Sequence, residues 1–349
     1  MRINNEHYKT VWIEESEVVM IDQNLLPFKL ELLKCPSYRD TAKAIKDMNT
    51  RGAGAIGATA GYAMAQAFIE GQKISDDWIA MAKQEIEATR PTAQNLFYAT
   101  NRVYNSAVLS DAPVETALAE AKAIALEDEL SCKAIGEHGA SLIKEGMNVE
   151  THCNAGWLAF VDYGSALSPL YEANNSGKSF HVWVDETRPR SQGARLTAWE
   201  LYHEKISHKI IPDNAGAHLM QQGKVDLMIV GADRIAANGD AANKIGTLEK
   251  AIAAKYYGVP FYVAAPLSTF DMNCESGKQI PIENRSEDEL LYQEGPDENG
   301  DWKKVRVSSP HSEGINPGFD VTTNDLITGI ITPKGIVKPN VEEIKKLFV

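Results

Sequence analysis

Residues 225–250 read VDLMIVGADRIAANGDAANKIGTLEK. Val225, Leu227, Met228, Ile229 and Val230 make a short, nearly continuous apolar run, the pattern of a strand covered on both faces in a parallel sheet. Asp233 and Arg234 follow where that strand ends. Beyond the turn Asn238-Gly239-Asp240, apolar residues recur at Ile245, Leu248, Ile252 and Tyr256, a helical spacing that predicts an apolar face, and Gly258 with Pro260 marks the stop. Lys244 then falls in the first turn of the helix. A cation at that position opposes the dipole and the unpaired amide donors. Either the lysine faces solvent or an anion such as phosphate lies between it and the helix.

The same pattern recurs outward from this stretch. Candidate strands at 148–152, 181–185, 209–212, 225–230 and 260–264 alternate with helical segments, which predicts a largely parallel sheet with helices on both faces and ligands beyond the carboxyl ends of the strands. Those ends carry Cys153-Asn154-Ala155-Gly156, Glu186-Thr187-Arg188 leading to Gln192, Asp213-Asn214, Asp233-Arg234, and Pro266 with Ser268 and Asp271. A thiol and several acids therefore share one rim. Asp240, in the turn after Asp233, reads as a carboxylate that satisfies nearby amides.

The amino-terminal part reads differently. The first forty residues alternate polar and apolar side chains, as short antiparallel strands do, with turns near 21–24 and at Pro27. A short helix is expected over 38–48. Thr50-Arg51-Gly52-Ala53-Gly54-Ala55-Ile56-Gly57 reads as a glycine-rich loop feeding a helix of small residues, and glycines there permit close backbone approach to a ligand or simply a tight turn. Arg90 precedes Pro91, a residue favoured at the first helical position, so it is expected at a helix cap. Arg51, Arg90 and Lys244 are thus three cations expected at helix starts, a phosphate-binding constellation. Residues 113–146 read as a helical bridge. The expected architecture is α/β: a small N-terminal α+β domain, 1–128, followed by a Rossmann-like parallel-sheet domain, 129–349.

Composition bounds the function. The 349 residues are 44% hydrophobic and 24% charged, as in ordinary globular proteins. A net charge of −13 argues against non-specific nucleic-acid binding, which needs a broad basic face. No run reaches the ~18 apolar residues of a membrane span and no signal-peptide core opens the chain, so a cytoplasmic location is expected. Cys35, Cys132, Cys153 and Cys274 are widely spaced, which disfavours a disulfide framework or a structural zinc site. There is no GxGxxG after the first strand and no Walker lysine loop, which argues against redox or NTP-dependent chemistry, and no GxSxG elbow, which argues against a serine hydrolase. His152-Cys153 has no second ligand pair, so neither a metal nor a cofactor is expected.

The blocks RGAGAIG, ATRPTAQNL, THCNAGWLA, DETRPRSQGARLTAWEL, GADRIAANGDAANKIGT, APLSTFD, IPIENR and NPGFDVT resemble, in order and spacing, the methylthioribose-1-phosphate isomerases. These are related to the regulatory subunits of the guanine-nucleotide exchange factor of translation initiation. The resemblance runs from about Thr50 through Gly335, and THCNAG with GADR favours the isomerase branch. It implies an aldose-ketose isomerase of methionine salvage, acting on 5-methylthioribose 1-phosphate. By position it implies Cys153 and Asp233 as catalytic thiol and acid, and Arg51, Gly52, Ala53, Arg90, Gln192, Asn243 and Lys244 as substrate-binding residues. It also implies a homodimer paired through the Rossmann-like domain. The alternatives are an isomerase for 5-deoxyribose 1-phosphate or ribose 1,5-bisphosphate, and a non-catalytic regulatory protein.

Two departures stand out. The family generally has proline where this chain has Gly54, which is expected to loosen the loop. Trp157, Phe160, Val161 and Asp162 replace small residues after the thiol segment and are expected to reshape the pocket for the C5 substituent.

Overall fold

The computed structural model describes residues 1–4, 6–71, 76–91 and 93–349. Strands β1 (Arg2–Ile3) and β2 (Glu6–His7) form a small hairpin. They precede an antiparallel sheet of β3 (Val11–Glu14), β4 (Glu17–Ile21) and β5 (Leu32–Cys35). Helices α1 (Tyr38–Lys46), α2 (Ala53–Gly71), α3 (Asp76–Glu87), α4 (Gln94–Ala107) and α5 (Pro113–Gly139) follow. Ser37 caps α1 by accepting the Asp40 amide.

Helix α2 is central to this part because it is buried on nearly every side. Its alanines favour helix and its glycines remove bulk. A Cβ on Gly61 would sit 3.8 Å from the Ala121 backbone of α5, and one on Gly57 only 3.2 Å from Asn95 of α4. The expected glycine-rich loop is accordingly the first turns of α2, with only Gly52 (φ +87°) outside as a true turn residue. Gly54 does not loosen a loop. Its missing side chain makes room for Asp128 and Phe160, which a Cβ would meet at 2.3 and 2.4 Å.

Helix α5 runs unbroken past residue 128. Ala117, Ala121, Ile124 and Ala125 pack into the core around α2, whereas Ile135 packs into a second core beneath the larger sheet.

That sheet contains β6 (Asn148–Thr151), β7 (His181–Asp185), β8 (Ser207–Ile211), β9 (Leu227–Val230), β12 (Phe261–Ala264), β17 (Gly329–Thr332) and β18 (Gly335–Val337), in the order β18-β17-β12-β9-β6-β7-β8. All neighbours are parallel except β17 with β18. Helices α6 (Ser168–Asn175), α7 (Ala198–His203), α8 (Gly216–Gln221) and α9 (Thr247–Tyr257) connect its strands. The run β8-β7-β6 proceeds one way in sequence and β9-β12-β17 the other. The switch point therefore lies between β6 and β9, where a doubly wound sheet opens a ligand crevice. This is the α/β, Rossmann-like architecture the strand-helix alternation implies.

The segment after β9 departs from the sequence reading. Strands β10 (Arg234–Ala236) and β11 (Ala241–Lys244) form a hairpin, which pairs with β13 (Phe270–Asp271) on one side and, after the short helix α10 (Asp288–Leu291) and the hairpin β14 (Tyr292–Pro296) and β15 (Trp302–Arg306), with β16 (Phe319–Thr322) on the other. Lys244 thus ends a strand, and α9 begins at Thr247 after Gly246 (φ +102°). Gly258 (φ +72°) closes α9 as expected. The apolar face expected of α9 is not its buried face: Ile252 and Tyr256 are 52% and 81% exposed, while Thr247, Lys250, Ala251 and Ala254 are buried. Those four positions keep a helical spacing of their own, and Lys250 reaches carboxylates beneath the sheet. Helix α11 (Val341–Lys345), capped by Asn340, ends the fold.

Candidate functional site

The crevice at the switch point brings together the residues that the resemblance marks as catalytic or substrate-binding. Arg51, Gly52, Ala53, Arg90, Cys153, Gln192, Asp233, Asn243 and Lys244 all line one cavity between the α2 region and the carboxyl edge of the large sheet. The amino ends of α2 and α4 face it through Gly52, Ala53, Gln94 and Asn95. Two helix dipoles with unpaired amides thus add to the cations.

The cations do not sit as the sequence reading had them. Arg51 immediately precedes α2, but its side chain donates to the carbonyls of Met48 (3.2 Å) and Gln23 (3.2 Å) and to Asn24 Oδ1 (2.9 Å). Arg90 lies three residues before Ala93, the cap of α4, so it is not itself a cap. Lys244 Nζ donates to the Gly318 carbonyl at 2.9 Å and stands 4.7 Å from the centre of the Phe319 ring. They converge because loops from both parts of the chain meet at the crevice.

The charge balance points to an anion. Burial pulls the Arg51 guanidinium down to about 9, with Arg190 and Arg195 adding repulsion. Arg90 is also lowered, by burial and then by Arg285, and its Nη1 is buried without a hydrogen-bond partner. Gln192 Oε1 and Asn95 Oδ1 are likewise buried and unpartnered. Polar atoms desolvated in this way are expensive unless something pairs with them.

Further cations line the cavity: Arg234, which the sequence placed on the rim, and Arg190 and Arg285, which it did not single out. Arg190 and Arg285 meet Glu289 at 2.9 and 2.6 Å, and Arg234 lies 3.6 Å from Asp271. Arg190 and Glu289 are 99 residues apart, so their pairing leaves no local pattern to read, whereas Arg285 and Glu289 are only 4 residues apart. The presence of Arg190 in DETRPRSQ and of Arg285 in IPIENR was the available signal.

Cys153 follows β6 in a left-handed conformation (φ +70°) and is partly open to the cavity. Burial raises its thiol to about 11, against a lowering pull from Lys244. Asp233, three residues beyond β9, lines the cavity and is an exposed residue. The walls around its carboxyl still desolvate it and raise it, while Lys244 and Arg90 pull it down. The thiol thus holds its proton near neutral pH, and the carboxyl of Asp233 is shifted in the same direction. Its backbone amide donates to the Ala242 carbonyl at 2.9 Å, fixing it on the β10–β11 hairpin.

The remaining wall is apolar, with Ile56, Ala155, Ala159, Phe160, Leu196, Ile280 and Phe319. Of the four bulky departures only Phe160 lines the cavity. Trp157 is buried in the core under the sheet and Val161 in the core around α2. Asp162 is buried and faces His7 Nε2 at 2.7 Å. The chain turns sharply through 157–164, so successive side chains point into different layers. Asp240 also lies outside the cavity lining, accepting from Asn238 Nδ2 and from the Gly277 and Asn324 amides, each at 2.9 Å.

Beneath the site, His152 Nδ1 faces Asp185 Oδ2 and its Nε2 faces the Ile245 carbonyl, both at 2.9 Å. A carbonyl only accepts, so both ring nitrogens donate when Asp185 is ionised, in keeping with the raised imidazole pKa that the Asp185 hydrogen bond produces against burial. Lys250 Nζ lies 3.4 Å from Asp185 Oδ1 and 3.8 Å from Glu150 Oε1. His152, Asp185 and Asp213 are close enough to frame a metal, but these contacts already occupy the ring nitrogens and Asp185.

Residues 49–339 match the model of the initiation factor 2 subunit family. A protein of Paramagnetospirillum magneticum named methylthioribose-1-phosphate isomerase is 47% identical over 360 residues, covering 100% of this chain and 99% of that protein. One of the same name from Sulfurimonas denitrificans is 44% identical over 357 residues, covering 98% and 99%. The crystal structure of 5-methylthioribose 1-phosphate isomerase from Pyrococcus horikoshii is similar with a TM-score of 0.87 and 42% identity, covering 98% of this chain and 96% of that one. That of translation initiation factor eIF-2B, subunit delta, from A. fulgidus has a TM-score of 0.83 and 36% identity, covering 97% and 100%. With its fold and its sequence matched over nearly their whole length, this chain belongs to the initiation factor 2 subunit family, alongside the proteins named methylthioribose-1-phosphate isomerase.

Proposed function

We propose that this protein is an aldose-ketose isomerase that converts 5-methylthioribose 1-phosphate to 5-methylthioribulose 1-phosphate. The observation that carries this reading is the cavity itself: the Cys153 thiol and the Asp233 carboxyl, which burial shifts upward, share it with Arg51, Arg90 and Lys244. The cations and the two helix ends bind the phosphate, and the apolar wall with Phe160 receives the methylthio end.

The anomeric oxygen carries the phosphate, so the ring cannot open to a free aldehyde. Asp233 gives its proton to the ring oxygen as the C1 bond to that oxygen breaks. The C2 hydrogen moves to C1 with its electron pair beside Cys153, and the C2 hydroxyl passes its proton to the Asp233 carboxylate as it becomes the ketone. One proton enters and one leaves, so the step needs no oxidant. Gln192 and Asn243 orient the sugar hydroxyls, and Gly52 and Ala53 present backbone to the phosphate.

The test is ketose formation from 5-methylthioribose 1-phosphate, beside 5-deoxyribose 1-phosphate and ribose 1,5-bisphosphate, with wild type, Cys153→Ser and Asp233→Asn. Preference for the methylthio sugar, lost in both variants, is expected. Near-normal turnover by Asp233→Asn would remove that residue from the proton-donor role. Failure of wild type on all three sugars would favour the regulatory reading, to which the A. fulgidus likeness lends weight.

The same reading includes a cytoplasmic homodimer without metal or cofactor, and a division into units 1–128 and 129–349. Among the described residues no helix is long and apolar enough to cross a membrane. The exposed Ile252, Tyr256 and Tyr257 of α9 give the second unit an apolar surface for pairing. Light scattering at a mass near 38.3 kDa would overturn the dimer.

A further inference from the structure

Cys153 is not the only non-glycine residue near the site with a positive φ. Thr187, which is fully buried, has φ +64°. For a β-branched residue this is a genuine outlier, because its Cβ crowds the backbone there, and such strain persists only where neighbours hold it. The two strained residues hold each other. The Thr187 hydroxyl accepts the Cys153 amide at 2.8 Å and lies 3.0 Å from the Asp185 carbonyl. A carbonyl cannot donate, so the hydroxyl proton points to Asp185 and a lone pair is left for Cys153.

The strand after which Thr187 lies, β7, is adjacent to β6, which carries Cys153. Thr187 is itself anchored: its amide and that of Arg188 donate to Asp213 Oδ1 and Oδ2 at 2.6 and 2.7 Å. Gly193 closes over it, since a Cβ there would fall 1.8 Å from the Asp185 carbonyl oxygen and 2.9 Å from Thr187 Oγ1. The other side of the Cys153 backbone is held by Thr197, whose hydroxyl donates to the Cys153 carbonyl at 2.7 Å and lies 3.1 Å from Asn154 Nδ2. One loop thus grips both polar groups of the Cys153 backbone, and none of these contacts touches the cavity lining other than through Cys153 and Asn154.

We infer that Thr187 is a positioning residue, whose hydroxyl keeps the Cys153 backbone left-handed so that the thiol faces Asp233 and the substrate. This rests on the proposed isomerase reading for its effect on turnover, but not for its effect on the thiol.

The experiment compares wild type with Thr187→Ser, Thr187→Val and Thr187→Gly. Serine keeps the hydroxyl. Valine keeps the shape without it. Glycine adopts positive φ freely, so it keeps the loop folded while lacking the hydroxyl. Turnover of 5-methylthioribose 1-phosphate is measured together with alkylation of Cys153 by iodoacetamide, followed by peptide mass mapping. With the phosphate grip intact, Thr187→Val and Thr187→Gly should lose kcat by up to about 10²-fold, the scale of a misplaced reacting group, with KM nearly unchanged. Their Cys153 alkylation rates should depart from wild type, whereas Thr187→Ser should match wild type in both assays.

Thr187→Gly that is folded and behaves as Thr187→Ser would overturn the inference. If wild type does not turn over the sugar, the isomerase reading fails alone. Alkylation then decides: a change in valine and glycine but not serine supports positioning, and no change refutes it.

Discussion

Gly156→Ala tests how the loop carrying Cys153 is held. A Cβ at Gly156 would lie 1.9 Å from Glu200 Oε2, 2.6 Å from Glu200 Cδ and 2.7 Å from Leu167 Cδ1. The backbone at Gly156 (φ −87°, ψ −164°) suits alanine, so the cost comes from contact and not from strain. Glu200 is fully buried and accepts from Asn154 Nδ2 (2.7 Å), the Trp157 amide (2.8 Å) and the Tyr171 hydroxyl (2.5 Å). A methyl group displaces that carboxyl and breaks at least two of the three bonds. At pH 8, above the value of about 7 to which burial raises Glu200, the carboxyl is ionised; hydrogen bonds involving charged groups contribute ~1.5–3 kcal/mol each, so the expected loss is about 3–5 kcal/mol. Gly146→Ala is the control, since Gly146 (φ +77°) has open space around its Cβ position. There only the left-handed backbone penalty of ~1–2 kcal/mol applies. Urea unfolding measured side by side should give Gly156→Ala the larger drop in midpoint at unchanged slope. If it loses no more than Gly146→Ala, Glu200 does not clamp this loop and the reasoning fails.

Lys244→Met should raise KM for a sugar phosphate by ~10- to 10²-fold, the range of one charge-assisted contact, and steady-state kinetics reads this directly. Lys250→Met leaves Asp185 buried without its lysine, beside a Glu150 that burial already raises to about 8, and should cost about 3–5 kcal/mol in calorimetric or denaturant stability. A loss below ~1 kcal/mol would mean that His152 alone compensates Asp185. Stability should also fall as pH rises from 5 to 8. Burial raises Asp128 from 3.8 and Glu200 from 4.5, each to about 7, so the folded state retains protons that the unfolded chain has released. His152, raised above 6.5, contributes in the same direction, being stabilising below its unfolded value and losing that contribution as pH rises through its folded one. Glu289, lowered to about 2 by Arg285 against burial, loses its contribution only under acid conditions. Melting temperature against pH reads the slope, and Asp128→Asn should flatten it.

How far the sequence reaches is clearest around Lys244. The sequence singles it out as a cation in the first turn of a helix, and it does line the cavity, yet it ends a strand and the helix begins at Thr247. The hairpin of β10 and β11 depends on β13 and β16, the latter pairing Lys244 with Phe319. Such pairing has no local signature. Helix α9 shows a related failure. Its apolar spacing marks a helix, but those residues do not form the buried face, because Lys250 is drawn inward by Glu150 and Asp185. An ion network thereby overrides hydrophobic periodicity. Likewise Trp157, Phe160, Val161 and Asp162 are neighbours in sequence, and only Phe160 reaches the cavity.

The strands of the large sheet, the rim at their carboxyl ends and the presence of Cys153 and Asp233 on it follow from the sequence alone. Short apolar runs and turn residues are local signals, and the parallel sheet makes one edge the site. Tertiary structure alone decided that Arg51 and Arg90 complete that edge from the α2 and α4 region. It also decided that Cys153 and Thr187 are clamped at positive φ, and that a buried ion network lies below them. Each of these depends on contacts between distant segments, whose free energy exists only once both layers have packed.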